Sequence, residues 1–320
     1  MDSHKEFWDD GSRAGEHIVE DYVGNVPRWC SGCGDHSVLG AVQRLARDEQ
    51  LAPEQMVVVS GIGCSSRFPH YMKTYGFHGL HGRPLPVACG VRARRPDLHI
   101  FVVTGDGDCC AIGTAHWIHA IRYNMRMTVL LLDNNIYGLT KMQTSPTSPV
   151  GVHSNTHPFG SQLPPLNPLT VTLGIVNASF VAQTIDWHPP HLYATLRAAH
   201  RHDGLAFVRV LQRCPHFMPE AFSVLQQEPD RVLMLEHPDG ITLEPAAARA
   251  FANRVEHDPS RLHEAREHAA REDVIPTGLL YLNPDAVRYD DATRHGMGMP
   301  DPEKRTAAQA AVDGFLVDRP

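Results

Sequence analysis

No stretch of the sequence is apolar enough to cross a bilayer: the longest purely aliphatic run, residues 129–132, falls far short of the roughly 20 residues a spanning helix needs. The opening residues, Met1-Asp2-Ser3-His4-Lys5-Glu6, lack a basic region followed by an apolar one, so no secretory signal is expected and the cytoplasm is the default compartment. Positive charge is also in deficit. The 29 Lys+Arg face 36 Asp+Glu for a formal net charge of -7, and no long basic stripe offsets it, which speaks against nucleic acid or an anionic membrane as partner. The seven cysteines are an odd number in a chain without a visible export signal, so thiolate chemistry or metal binding is a better use for them than a disulfide framework. No internal repeat and no low-complexity tract is visible, so the fold must come from alternating elements.

What is present is ordinary globular material. The chain has 320 residues, 42% hydrophobic and 20% charged, with 25 Gly and 25 Pro, which excludes collagen, coiled coil and wholesale disorder and leaves one large α/β domain or two modest ones. The 21 histidines are scattered: His78, His81, His116, His119, His188, His191, His200 and His202 form no single tight ligand pattern.

Val38, Ala41, Val42 and Leu45 recur at helical spacing after a Cys30-to-Asp35 loop, with Arg44 and Arg47 on the other face. Met56-Val57-Val58-Val59 then reads as a buried parallel strand leaving into a loop at Ser60-Gly61-Ile62-Gly63. His99-Ile100-Phe101-Val102-Val103-Thr104 predicts a second strand followed by a helix over 112–123, and 127–132 a third strand ending at Asp133-Asn134-Asn135. Residues 179–185, 191–202 and 205–211 give a further strand–helix–strand unit. This alternation implies an α/β, doubly wound parallel sheet with its site at the C-terminal ends of the strands. The Pro-, Ser-, Thr- and Gly-rich stretch 142–168 is expected to be an active-site loop or lid. From Cys214 onward the strand pattern fades, and 259–272 reads as a charged helix with little apolar face. The expected division is therefore a cofactor-binding domain over 1–213 and a C-terminal extension over 214–320 that wraps the first or contacts another subunit, with Leu279-Leu280-Tyr281-Leu282 as a strand docking it.

Two constellations carry chemistry. In the first, Gly105-Asp106-Gly107-Asp108 follows one strand and Asp133-Asn134-Asn135 the next. Glycines let backbone amides approach a diphosphate, while the carboxylate of Asp106 and the amide oxygen of Asn134 are hard ligands of the type magnesium accepts. The plain alternative is a pair of turns with acidic caps. In the second, Cys30-Ser31-Gly32-Cys33 joins Cys64 and a distant Cys214-Pro215. Spacing alone leaves an iron–sulfur cluster, zinc and unligated thiols all open, although the lack of a second Cys-x-x-Cys weakens a zinc ribbon.

The first constellation resembles the thiamine-diphosphate signature. That likeness implies that Asp106, the Asn134 side chain and the backbone carbonyl of Ile136 hold Mg2+. The two together resemble the β subunit of 2-oxoacid:ferredoxin oxidoreductases over about 29–217. The matching motifs are Trp29-Cys30-Ser31-Gly32-Cys33-Gly34, Gly61-Ile62-Gly63-Cys64-Ser65-Ser66-Arg67, His81-Gly82-Arg83, the Gly-Asp-Gly segment with His116, and Asp133-Asn134-Asn135-Ile136-Tyr137-Gly138-Leu139-Thr140 leading to Gln143 and Ser145-Pro146-Thr147.

The resemblance implies one 4Fe-4S cluster on Cys30, Cys33, Cys64 and Cys214, with Cys89, Cys109 and Cys110 as small hydrophobes. It implies thiamine diphosphate held among Gly63, Cys64, Ser65, His81 and Gly82, then Gly105, Asp106, Gly107 and Asp108, then Asn134, Ile136, Gly138, Leu139 and Thr140. The implied activity is coenzyme-A-dependent oxidative decarboxylation of a 2-oxoacid, reversible at the same site, with electrons passing singly through the cluster to ferredoxin. An α subunit would supply the glutamate that activates the cofactor, in a dimer of heterodimers. The motif wording is most like the 2-oxoglutarate branch, with pyruvate or branched-chain 2-oxoacids as same-chemistry alternatives.

A dicarboxylate needs a cationic anchor, for which Lys141, Arg67 and Arg83 are candidates, Lys141 foremost unless it is simply a solvated loop lysine. Two readings of other classes are a metal-binding electron-transfer or assembly subunit without catalysis, and a thiamine decarboxylase or synthase without redox chemistry. The thiamine signature speaks against the first, and the second leaves four placed cysteines unused. Two departures from the family stand out: Arg92-Ala93-Arg94-Arg95-Pro96 replaces a lysine and an Ala-Asn-Pro turn, and Met142 stands where glycine usually precedes the glutamine.

Overall fold

The β-branched and aliphatic runs become strands that are buried along nearly their whole length, as strands covered on both faces must be. In the computed structural model, which describes residues 16–293 and 301–313, these are β1 (Met56–Ser60), β3 (His99–Gly105), β4 (Met127–Asp133), β7 (Phe180–Ile185) and β8 (Leu205–Leu211), with β2 (Tyr75–His78) at one edge. A small hairpin of β5 (Ile136–Tyr137) and β6 (Gln143–Thr144) follows β4, and β9 (Val232–Glu236), β10 (Asn253–Glu256) and β11 (Ile275–Leu282) come from the C-terminal third. The main sheet has nine strands in the order β10-β9-β11-β7-β8-β4-β3-β1-β2. Every neighbouring pair from β7 to β2 is parallel; β11 runs antiparallel to β7, and β9 and β10 follow β11. The N-terminal hexapeptide on which the compartment expectation rests lies outside the described residues.

Side chains alternate between two apolar layers because successive strand residues face opposite ways. Val57, Val59, Val102, Val129 and Leu131 join Trp117 and Ile121 of α3 (Thr114–Tyr123) on one face, beside Leu85 and Ala88 of α2 (Pro84–Arg94). Met56, Val58, Phe101, Val103 and Leu130 join Val38, Val42 and Leu45 of α1 (Asp35–Asp48) on the other, with Leu192 and Leu196 of the helix Pro189–Arg201. Trp117 is fully buried and stacks on Phe207 at 5.7 Å, a packing whose loss to alanine costs about 3–5 kcal/mol. The chain leaves β1 toward β2 on one side and leaves β3 toward β4 on the other, so the loops diverge and open a crevice at the strands' C-terminal ends.

The doubly wound α/β sheet is as expected, and three elements differ. The helix expected over 112–123 starts at Thr114, because Asp108–Ile112 forms a π turn, a widened turn of the kind that clusters at functional sites. The C-terminal third does more than wrap: β9, β10 and β11 extend the same sheet, and 279–282 is the end of an eight-residue strand seated between β9 and β7. β9 has 5 residues and β10 has 4, β11 is interrupted by Pro276 and Gly278, and their pairing is long-range, so local periodicity hides them. The charged helix is confined to Leu262–Ala269, with Ala265 and Ala269 buried.

Candidate active site

A cavity of about 740 Å³ opens at the C-terminal ends of β1, β3 and β4. Its wall takes Ile62, Gly63, Cys64 and Ser65 from the loop after β1, Gly105, Asp106, Gly107 and Asp108 from the end of β3, and Leu132, Asn134, Ile136 and Tyr137 around the end of β4. Gly138, Leu139, Thr140, Gln143 and Thr144 continue it, His81 joins it from the loop before Pro84, and Thr156 and His157 complete it from the long loop. At Gly107 a side chain is impossible, since a Cβ would sit 2.1 Å from the Tyr137 ring, whose hydroxyl donates to the Gly107 carbonyl at 3.0 Å.

Asp108 ties three loops together. Its Oδ1 accepts from the backbone N–H groups of Ile62 (3.0 Å) and Gly82 (2.7 Å) and from His81 Nδ1 (2.7 Å), and its Oδ2 accepts from Thr104 Oγ1 (2.7 Å). Gly82 itself lies behind the wall at φ +68, a conformation open to glycine, where a Cβ would meet the Gly113 nitrogen at 2.6 Å. With four donors satisfied, the Asp108 carboxylate acts on the cavity through the imidazole it holds.

Asp106 has a different environment. It is buried, and its Oδ2 accepts from Ser145 Oγ (2.5 Å) and Thr147 Oγ1 (2.8 Å), while the same Thr147 hydroxyl reaches Asp133 Oδ1 at 2.8 Å. One hydroxyl proton cannot serve both carboxylates. Burial, with the charge of Asp133 adding, pushes Asp106 up to about 7 against the pull of the two hydroxyls. Asp133 is neutralised from behind by Arg209 at 2.6 Å, which leaves the Asp106 side in want of a cation. Asn134 is oriented by donating Nδ2 to Gln212 Oε1 at 3.0 Å and accepting from Ile136 N at 3.2 Å. A buried carboxylate, an oriented amide oxygen and a main-chain carbonyl fit Mg2+ that also takes diphosphate oxygens. Among the described residues no group of three or more His, Cys, Asp or Glu side chains is placed to hold a metal ion.

The four cysteines expected to act together come from the loop before α1, the end of β1 and the end of β8. A methyl placed on Gly138 would lie 3.5 Å from Cys64 Sγ and 3.8 Å from Cys214 Sγ. Burial pushes the Cys33 thiol up, as do Asp35, Cys214 and Cys64; burial pushes Cys64 up to about 12, with Asp35, Cys214 and Cys30 adding. Each sulfur therefore feels its neighbours, and anionic thiolates here require nearby positive charge. Burial also raises Cys214, against the backbone N–H groups of Phe217, His216 and Met218 that pull it down, the arrangement that stabilises cluster-bound sulfur. Gln212 Nε2 donates to Cys33 Sγ at 3.3 Å, and Trp29 Nε1 anchors the Cys64 carbonyl at 2.7 Å. Cys109 and Cys110 are core residues and Cys89 packs against the core half-buried.

None of the three cationic anchor candidates stands in the cavity wall. Lys141 is exposed at φ 68, its N–H bonded to the Gly138 carbonyl at 3.0 Å and its own carbonyl taken by Asn155 Nδ2 at 3.0 Å. Arg67 lies 5.9 Å over the Tyr71 ring, and Arg83 donates to the carbonyls of Gly82 (3.2 Å) and Ile112 (3.1 Å). Conversely, Thr144, Thr156 and His157 line the cavity without having been singled out. The lid-like composition of 142–168 was their only signal.

The family profile "Thiamine pyrophosphate enzyme, C-terminal TPP binding domain" matches residues 61–210. The chain is 46% identical over 216 residues to 2-oxoglutarate oxidoreductase subunit KorB of Mycobacterium tuberculosis, covering 67% of this chain and 58% of that protein, so it spans little more than half of that relative's length. It is 33% identical over 264 residues to 2-oxoacid:ferredoxin oxidoreductase 2, subunit beta, of Aeropyrum pernix, covering 82% of each. Among solved structures it is similar to 2-oxoglutarate:ferredoxin oxidoreductase from Magnetococcus marinus with 2-oxoglutarate, coenzyme A and succinyl-CoA bound, at 33% identity and a TM-score of 0.79 over 91% of this chain and 96% of that one. Such likeness, carried across a cavity and a cysteine group at the expected strand ends, means that the chain belongs to the β subunits of the 2-oxoacid:ferredoxin oxidoreductases.

Proposed function

We propose that this chain is the β subunit of an enzyme that converts 2-oxoglutarate and coenzyme A to succinyl-CoA and carbon dioxide, passing two electrons singly to ferredoxin, with the reverse carboxylation at the same site. The observation that carries this reading is the shared wall: Cys64 and Gly138 line the cavity, and Gly138 also packs against the sulfurs of Cys64 and Cys214. A redox centre held by those sulfurs would share a wall with the cavity, which a thiamine enzyme without redox chemistry does not need. A non-catalytic electron-transfer subunit, in turn, would have no use for the cavity.

Thiamine diphosphate, when bound, supplies a carbon nucleophile for the 2-oxo group, and a 4Fe-4S cluster supplies a one-electron acceptor. The residues of this chain do the holding. Asp106, the Asn134 side chain and the Ile136 carbonyl would hold Mg2+ against the diphosphate, and the Gly105-Asp106-Gly107 turn lets the cofactor approach the backbone. Cys30, Cys33, Cys64 and Cys214 would hold the cluster. His81, fixed by Asp108, presents its Nε2 to the cavity. Lys141, Arg67 and Arg83 remain candidate anchors from outside the wall, Lys141 as a rim residue of the assembled enzyme. An α subunit would complete the site in a dimer of heterodimers, with 214–320 supplying the fourth cluster cysteine and subunit contacts. No helix of the described residues is long and apolar enough to cross a membrane, and cytoplasmic residence is part of the proposal.

The test is coenzyme-A-dependent reduction of a low-potential dye by this chain coexpressed anaerobically with its α subunit, on 2-oxoglutarate, pyruvate and 2-oxoisovalerate. Dominant use of 2-oxoglutarate supports the reading. Preference for another acid keeps the chemistry and overturns the substrate, whereas no turnover with cluster and thiamine both loaded overturns the catalytic reading.

A further inference from the structure

We propose that His157 donates a hydrogen bond to the distal carboxylate of the 2-oxoacid and so selects dicarboxylates; this rests on the 2-oxoglutarate reading above. A five-carbon dicarboxylate brings a second anion into the cavity, and an anion there needs a donor. The wall contains no lysine or arginine. Its amides each have one N–H engaged: Asn134 Nδ2 with Gln212 at 3.0 Å and Gln143 Nε2 with the Thr140 carbonyl at 2.7 Å. Tyr137 spends its hydroxyl proton on Gly107.

Besides the neutral Ser65 hydroxyl, two histidines remain, and their partners set them oppositely. His81 Nδ1 faces the carboxylate of Asp108 at 2.7 Å and must carry its proton there, so the neutral ring turns an accepting Nε2 to the cavity. His157 Nδ1 faces hydroxyls instead, Thr144 Oγ1 at 2.5 Å and Thr156 Oγ1 at 3.2 Å. In the assigned tautomer a hydroxyl donates to Nδ1 and the ring proton is on Nε2, which makes no hydrogen bond within the described residues. His81 then serves as the wall's acceptor and His157 as its donor.

The backbone holds this donor in place. Ser154 and His157 close a tight turn through Ser154 N to His157 O (3.1 Å) and His157 N to Ser154 O (3.2 Å). Asn155 docks that turn on the strand segment before the cavity, through its N–H to Met142 O (3.3 Å) and its Nδ2 to Lys141 O (3.0 Å). The left-handed φ of Lys141 (68) and Met142 (73) aims both carbonyls at Asn155.

The test uses the complete αβ enzyme, comparing kcat/KM for 2-oxoglutarate, pyruvate and 2-oxoisovalerate, with iron and thiamine content measured to show equal loading. In His157→Leu the 2-oxoglutarate value should fall about 10- to 100-fold, chiefly through KM, with the monocarboxylates within about threefold of wild type, the range a hydrogen bond to a charged group spans. His157→Gln, which keeps an N–H donor, should recover most of the loss. If the leucine variant does not assemble, Thr144→Val decides, since it must also raise KM for 2-oxoglutarate selectively. Equal losses on all three acids, or no loss, overturn the proposal while the substrate reading stands. A wild-type enzyme that does not use 2-oxoglutarate overturns the substrate reading and the proposal with it.

Discussion

His81 Nδ1 lies 2.7 Å from Asp108 Oδ1, and the carboxylate that holds this ring is the same one that binds the backbone of Ile62 and Gly82 and the hydroxyl of Thr104. The imidazole is thus positioned by a junction of β1, β3 and the loop before α2. Removing the junction and removing the ring should have separable consequences. Asp108→Ala strands a buried and a part-buried backbone donor and a buried hydroxyl, each worth about 1–3 kcal/mol, so urea unfolding of the chain should show a loss of several kcal/mol. His81→Gln, whose side chain is 37% exposed, should leave the unfolding midpoint nearly unchanged and lower activity. Equal stability losses in both variants would refute the division of roles.

The cofactor and cluster readings dissociate by mutation. Asp106→Ala should abolish Mg2+-dependent thiamine diphosphate binding, measured by calorimetry on the purified complex, and leave iron and sulfide content intact. Cys214→Ser should do the reverse. The cluster absorbance and dye reduction should fall while thiamine binding persists. Loss of both groups in either variant would mean that the two sites fold as one unit.

Met142 adopts φ 73, a left-handed conformation that costs a side-chain-bearing residue about 1–2 kcal/mol, at the position where the family usually places glycine. Met142→Gly should therefore raise stability by roughly 0.5–1 kcal/mol after the greater entropy of glycine in the unfolded chain is deducted. A thermal melt of the αβ complex checks the sign. A lower Tm would show that the methionine side chain contributes more than the backbone loses.

Three histidines resist protonation in the folded chain. Burial lowers His191 to about 3, His200 to about 4 and His202 to about 4, with neighbouring His188, His99 and Arg288 adding in turn. In the unfolded chain they charge near 6.5, so the unfolded state binds more protons and stability falls as pH drops from about 6.5 toward 4. Each contributes at most roughly 1.4 kcal/mol per pH unit across that window. Urea midpoints between pH 7 and 4.5 should show the slope, and His191→Leu should make it shallower.

Much of this protein was legible before folding was considered. Val57, Val58 and Val59, or Val129 to Leu132 in sequence, are continuous β-branched and aliphatic runs, and only strands buried on both faces tolerate such runs in an α/β chain. Asp106 and Asn134 stand at the ends of two such runs, so local sequence already places them at one end of the sheet. The cysteines were legible as types and as a family pattern. Their convergence was not, because Cys214 reaches Cys64 only through the pairing of β8 with β4, β4 with β3 and β3 with β1.

What the tertiary structure alone decided is the direction in which side chains face. Lys141 sits one residue from the wall residue Thr140, yet a left-handed turn leaves it exposed, while His157, distant in sequence and without periodicity, enters the cavity through a turn captured by Asn155. The strands β9, β10 and β11 became visible for the same reason, since their apolar residues are stabilised by partners far along the chain. Periodicity reports which residues an element will bury. Which residues meet across a cavity is set by strand order and backbone turns, and those depend on contacts that local sequence does not encode.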